Sequence, residues 1–123
     1  MAVVDASVFV EHLLAPRGIL EPSEKLLAPS VVDLEVYGVW RRLMLRGVIT
    51  ASAAREGIGI YGQLEIERHD HALLLPRIWQ LRHDITAVDA AYVALAEALG
   101  VPLITADRKL ARAAARYCEV VEV

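Results

Sequence analysis

Apolar positions along this chain follow two rhythms. Short, nearly continuous apolar runs stand at residues 2–6 (Ala-Val-Val-Asp-Ala), at 26–28, from Val101 to Thr105, and from Glu119 to Val123 through Val120 and Val121. Each predicts a short buried strand, the first ending in an acid where a strand meets a loop. Stretches with helical spacing lie between them and predict helices from Ser7 to Leu14, Ser30 to Arg46, Thr50 to about Glu65, His71 to Arg82, Ala87 to Leu99 and Asp107 to Arg116. Pro16, Gly18 and Pro22 predict a loop over 15–23 with room for a short helix after it.

The punctuation sharpens these boundaries. Ser30 and Asp33, and again Thr86 and Asp89, have the spacing of a capping box, while Gly47 and Gly100 mark helix ends. Gly57, Gly59 and Gly62 each weaken the segment from Thr50 by about 1 kcal/mol relative to alanine. Pro76 predicts a kink or a late start in the segment from His71. Strands alternating with helices imply an α/β sandwich, a mostly parallel sheet of four to five short strands with helices on both faces.

Composition adds three constraints. A chain of 123 residues builds one hydrophobic core, so residues 1–123 are expected to form a single domain. The apolar fraction of 56% exceeds the usual share of about half, which suits a sheet covered on both faces and leaves surplus for a partner. No apolar run approaches the ~20 residues that span a bilayer, and the opening Met-Ala-Val-Val-Asp has no basic leader region, so a cytoplasmic protein without a membrane contact is expected. Cys118 is the one cysteine, which rules out a disulfide framework and a thiolate metal cluster; it reads as a small buried residue.

A net charge of −3 argues against indiscriminate nucleic-acid binding, yet 11 of the 13 basic residues are arginine, whose planar fork suits phosphate. In open parallel sheets the working site lies outside the carboxyl ends of the strands. Asp5 ends the first strand, Asp107 follows the strand Val101–Thr105, and Glu35 and Asp89 sit near helix starts, which point to the same end. Oxygen ligands without cysteine or a histidine pair suit Mg²⁺, with Mn²⁺ as a substitute. Such an ion acidifies an attacking water and neutralises charge on phosphoryl oxygens, and two ions can share the work. Asp5, Asp89 and Asp107 read equally well as helix caps, while Glu35, one turn inside an apolar helix, is harder to dismiss.

Four segments together carry a resemblance: Val-Val-Asp5-Ala-Ser7; Ala28-Pro29 followed by Glu35 in a helix; Thr86-Ala-Val-Asp89-Ala-Ala-Tyr92-Val-Ala-Leu-Ala-Glu97; and Leu-Ile-Thr105-Ala-Asp107-Arg108-Lys109-Leu110. In order and spacing, over residues 2–123, the chain resembles PIN-domain ribonucleases of the VapC toxin type. The resemblance implies a PIN-like fold and a metal-dependent endoribonuclease. Asp5, Glu35, Asp89 and Asp107 match the family's metal-binding catalytic acids, and Ser7 and Thr105 its supporting polar positions. Val88 departs from the aromatic residue that many relatives carry before the Asp, which touches packing and not chemistry. An RNA substrate, a homodimer and a cognate VapB-type antitoxin are implied as partners. Trp40, Leu43, Met44, Ile58 and Tyr61 are the candidate side chains for burying an antitoxin helix, and core packing accounts for them equally well.

The remaining polar residues divide less sharply. Arg41, Arg42 and Arg46 form one basic cluster beyond Glu35, and Arg108, Lys109 and Arg112 another after Asp107; Arg41, Arg42, Arg108 and Lys109 are the candidate phosphate contacts, with solvated helix faces as the plain alternative. His12, His69, His71 and His83 lack ligand spacing, Asp33 and Asp84 read as cap or flank residues, and Trp79 reads as core. A phosphoacceptor receiver would need adjacent acids after the first strand, and a haloacid-dehalogenase-like phosphatase a second Asp at position 7, where Ser stands. Two alternatives stay open: a non-catalytic PIN-like RNA- or protein-binding module, and a PIN nuclease of RNA maturation without an antitoxin.

Overall fold

The computed structural model describes residues 1–14 and 23–123; the loop expected over 15–23 lies almost wholly outside them. In chain order the elements are β1 (Ala2–Val4), α1 (Ala6–Leu14), β2 (Leu26–Pro29), α2 (Val32–Leu45), α3 (Ala51–Tyr61), β3 (Ile66–His69), a 3₁₀ turn (Ala72–Leu74), α4 (Leu75–Gln80), α5 (Ala87–Leu99), β4 (Leu103–Thr105), α6 (Arg108–Ala114) and β5 (Val120–Glu122). The sheet runs β3-β2-β1-β4-β5 with every pairing parallel. From β1 the chain proceeds outward through β2 to β3, then returns to the other side of β1 for β4 and β5. The order therefore reverses between β1 and β4, and the crevice above their carboxyl ends is where an open α/β sheet takes its ligand.

Burial follows the two rhythms of the sequence. All of β1 is buried, as a central strand covered on both faces must be. Helix α5 is buried through seven consecutive residues, Ala90 to Ala96, and its small side chains let it lie close to the sheet. Val8 and Phe9 of α1 enter the same core, with Phe9 meeting Tyr61 edge to face at 5.5 Å. Gly57, which weakens α3 by propensity, is required by packing: a Cβ there would stand 2.6 Å from the Trp40 ring. Gly47 and Gly100 adopt φ of +73° and +64°, the left-handed conformation that closes α2 and α5.

Several expectations shift. Strand β3 emerges between two expected helices, in residues to which the sequence pattern assigns no element, because Ile-Glu-Arg-His carries one buried apolar residue and reads as polar; it is the edge strand beside β2. Helix α3 stops at Tyr61, with Gly62 as its C-cap. Pro76 occupies the first turn of α4, so the late start holds and no kink forms. Ser30 does not cap α2; its hydroxyl donates to the His69 carbonyl, and Asp33 turns instead to Arg68 and Tyr61. Trp79 is not core but 65% exposed, with the Arg82 guanidinium 4.2 Å above its ring. Cys118 is half-buried rather than fully enclosed.

Candidate metal centre and its neighbours

Asp5 stands one residue past β1, in the crevice at the reversal point, and is almost completely buried. Two hydroxyls hold it, and both meet the same oxygen. Ser7 Oγ donates to Asp5 Oδ2 at 2.6 Å and Thr105 Oγ1 at 3.0 Å. Each hydroxyl is itself aimed by a backbone amide of the segment after β4, Ser7 Oγ accepting from Ala106 N–H and Thr105 Oγ1 from Asp107 N–H, both at 3.0 Å. These two relays tie the loop that carries Asp107 to the strand that carries Asp5. They also occupy Oδ2 and leave Oδ1 with no hydrogen bond from the described side chains. Ser7 and Thr105, the two polar positions singled out in the sequence, are thus both bonded to Asp5.

Glu35 comes from the first turn of α2 and is gripped on one side only. Tyr92, fully buried on α5, donates its hydroxyl to Glu35 Oε1 at 2.6 Å. Tyr92 lies one turn after Asp89, so a single face of α5 supplies both an acid and the donor that fixes another acid. The sequence motif contains Tyr92 without assigning it this role; its spacing from Asp89 is the signal that could have done so. Asp107 caps α6, its Oδ1 accepting from the amides of Lys109 and Leu110 at 2.9 and 3.2 Å. The capping reading of Asp107 is therefore correct for one oxygen. Thr86 holds the N-cap position of α5 without a side-chain cap bond.

The acids feel one another. Burial raises the Asp5 pKa above the ordinary carboxylate value despite the bonds from Ser7 and Thr105, and Asp107 raises it further. Burial also raises Glu35, with Tyr92 opposing and the charges of Asp5 and Asp89 adding. Asp89 is raised by burial and by Asp5 and Asp107, while Thr86 and the Lys109 charge pull it down. Like-charge repulsion thus links the four acids predicted from the sequence through Asp5 and Asp89, which feel Asp107 and are felt by Glu35. As the side chains stand, the described residues contain no group of three or more His, Cys, Asp or Glu drawn together tightly enough to hold an ion. The four acids offer oxygen donors only, the kind that a hard divalent cation takes.

Of the predicted basic residues, Lys109 is near enough to bias Asp89, and Arg108 lies 3.7 Å from Glu122. Arg41 and Arg42 stand exposed on α2, six and seven residues beyond Glu35, or about 9–10 Å along the helix axis. Trp40 and Tyr61, candidates for burying a partner, belong to the core, while Leu43, Met44 and Ile58 pack partly against it. The exposed apolar side chains of α2 and its surroundings are instead Leu34 and Tyr37, on either side of Glu35, with Leu45, Val48 and Ile60.

A five-stranded parallel sheet of this order with helices packed on it is an α/β fold whose crevice opens above β1 and β4. The PIN domain family matches residues 2–116, and the chain belongs to that family. It is 37% identical over 125 residues to "VapC ribonuclease Mb0985" of Mycobacterium bovis, covering all of this chain and 98% of the relative. Its identity to "Ribonuclease VapC1" of Mycobacterium tuberculosis is 40% over 126 residues, covering 96% and 94% of the two chains. Among solved structures, PAE2754 from Pyrobaculum aerophilum shares the fold with a TM-score of 0.75 at 23% identity, covering 98% of this chain and 88% of that one.

Proposed function

We propose that this protein is a divalent-metal-dependent endoribonuclease and the toxin of a type II toxin–antitoxin pair, the whole chain acting as one nuclease unit. The observation that carries this reading is the coupling of acids near the reversal point of the sheet, where Asp5, Glu35 and Asp89 each have a pKa raised by burial and by a neighbouring acid. Relatives named as VapC ribonucleases over essentially the full chain support it.

In this reading the four acids are the metal ligands and Mg²⁺ is the ion, with Mn²⁺ able to replace it. The bound ion supplies activation of water and neutralisation of charge on the scissile phosphate. The chain's own residues do the rest. Ser7 and Thr105 fix Asp5 through Oδ2 and present Oδ1; Tyr92 fixes Glu35 through Oε1 and presents Oε2. Asp107 anchors α6 with Oδ1 and keeps its second oxygen for the site. Lys109 offsets part of the negative charge that an RNA phosphate would meet on approach.

A VapB-type antitoxin is proposed to lie across the exposed Leu34 and Tyr37, which neighbour Glu35 in sequence on α2. Self-association into a homodimer is supported by a second exposed apolar group, Leu73, Leu75 and Trp79, of which Leu73 is 93% exposed. None of the described helices is long and apolar enough to cross a membrane, and the proposed site of action is the cytoplasm. Purified protein incubated with total cellular RNA is expected to give discrete products with Mg²⁺ or Mn²⁺, none with EDTA, and none from Asp89→Asn. Metal-independent products, or equal cleavage by Asp89→Asn, would refute the reading.

A further inference from the structure

A cleft of about 580 Å³ lies between α6 and the edge strand β5, lined by Arg108, Ala111, Arg112, Val120 and Glu122. Its placement follows from local geometry. Arg108 and Arg112 are one helical turn apart and share a face of α6. Val120 and Glu122 alternate along β5 and so share a face of the sheet. Glu122 is the register partner of Thr105, whose hydroxyl holds Asp5, and Val120 is the partner of Leu103, two residues further from the site. The cleft thus begins at the level of the acids and descends along the sheet edge.

Its chemistry suits a strand of nucleic acid. Its lining combines the Arg108 and Arg112 guanidinium groups and the Glu122 carboxylate with the apolar Ala111 and Val120, so the cations outnumber the single acid. Arg108 is 89% exposed and meets Glu122 only at 3.7 Å, so that loose pairing does not fix its fork. Arg112 repeats the charge one turn below. Such a groove offers forks to phosphates and apolar surface to a sugar or base face. Arg41 and Arg42 lie on a different element, exposed on α2.

Resting on the nuclease reading above, we propose that the single-stranded RNA flanking the scissile phosphate leaves the acid cluster through this α6–β5 cleft. Arg108 and Arg112 hold its phosphates there as positioning residues. The direction of the strand is thereby set by the β5 edge and not by the Arg41/Arg42 face.

Steady-state cleavage of total cellular RNA in Mg²⁺ by wild type, R108A/R112A and R41A/R42A tests this, with melting temperatures recorded for all three. The expected result is a KM raised about tenfold in R108A/R112A with kcat changed less than about twofold, and a salt slope shallower by about 0.7 for each phosphate that the variant leaves unneutralised. Its melting temperature should match wild type, since both arginines are exposed. Unchanged KM in R108A/R112A, a loss confined to kcat, or an equal loss in R41A/R42A would overturn the proposal. An inactive wild type with every divalent metal would refute the nuclease reading itself, a different failure from an active wild type indifferent to Arg108 and Arg112.

Discussion

Asp33 and Glu35 occupy the same turn of α2 and have opposite fates. Asp33 accepts two bonds from Arg68, at 2.8 and 2.7 Å, and one from the Tyr61 hydroxyl at 2.7 Å, so its carboxyl lies below the ordinary value, chiefly through Arg68. Glu35 has a tyrosine hydroxyl but no cation; its neighbours are Asp5 and Asp89, and burial drives its pKa up. The protein neutralises one carboxylate internally and leaves the other in a like-charged group. A carboxylate balanced from within holds structure together, here fastening α2 to α3 and β3. One left unbalanced in a buried cluster costs stability unless something external compensates, which marks it as functional.

The difference can be broken most severely at the cluster. Asp5→Asn or Asp89→Asn should lower metal-dependent RNA cleavage more than about a hundredfold, beyond the effect of removing a supporting hydrogen bond, while the circular dichroism spectrum stays native. Tyr92→Phe removes the one described side-chain bond to Glu35 and nothing else by shape. Mn²⁺ affinity followed by electron paramagnetic resonance should fall about 10- to 100-fold in that variant. An unchanged affinity would make Tyr92 a core residue whose hydroxyl is incidental.

At Asp33 the expected effect moves from activity to stability. Arg68→Ala should reduce unfolding free energy by about 1 kcal/mol in urea denaturation, discounted for the exposure of the pair, and leave cleavage intact. Loss of activity with unchanged stability would erase the contrast between the two acids.

The smallest effect concerns pH. A carboxylate whose pKa is raised on folding binds more protons folded than unfolded between the two values, so stability falls as pH rises through that window. Its penalty is fully present at neutral pH and relieved as pH drops through the folded-state value. In EDTA, therefore, wild type should gain melting temperature relative to Asp89→Asn on acidification from neutrality, and a gap constant with pH would contradict the raised Asp89.

What can be read from the chain follows from how local each cause is. Helix α5 is legible from Thr86 to Gly100, because spacing, composition and terminal glycine all lie within one segment. The four acids are legible because strand ends and helix starts are local features that the parallel topology then gathers. Strand β3 is not, since its order comes from pairing with β2 and only Ile66 announces a buried face. The Ser30–Asp33 cap fails for the same reason: β3 supplies His69 and Arg68 as better partners, and neither is visible from α2 alone. Trp79 is misplaced by its spacing because α4 is only six residues long, too short for periodicity to say which face is covered.

On the proposed reading Asp5, Glu35, Asp89 and Asp107 take a divalent cation, with Lys109 offsetting only part of their charge. Calorimetric titration of EDTA-stripped, dialysed protein with Mn²⁺ tests it directly. Saturable binding in wild type that is abolished in Asp5→Asn and kept in Arg68→Ala is the predicted result; no binding in wild type, or equal binding in Asp5→Asn, would contradict it.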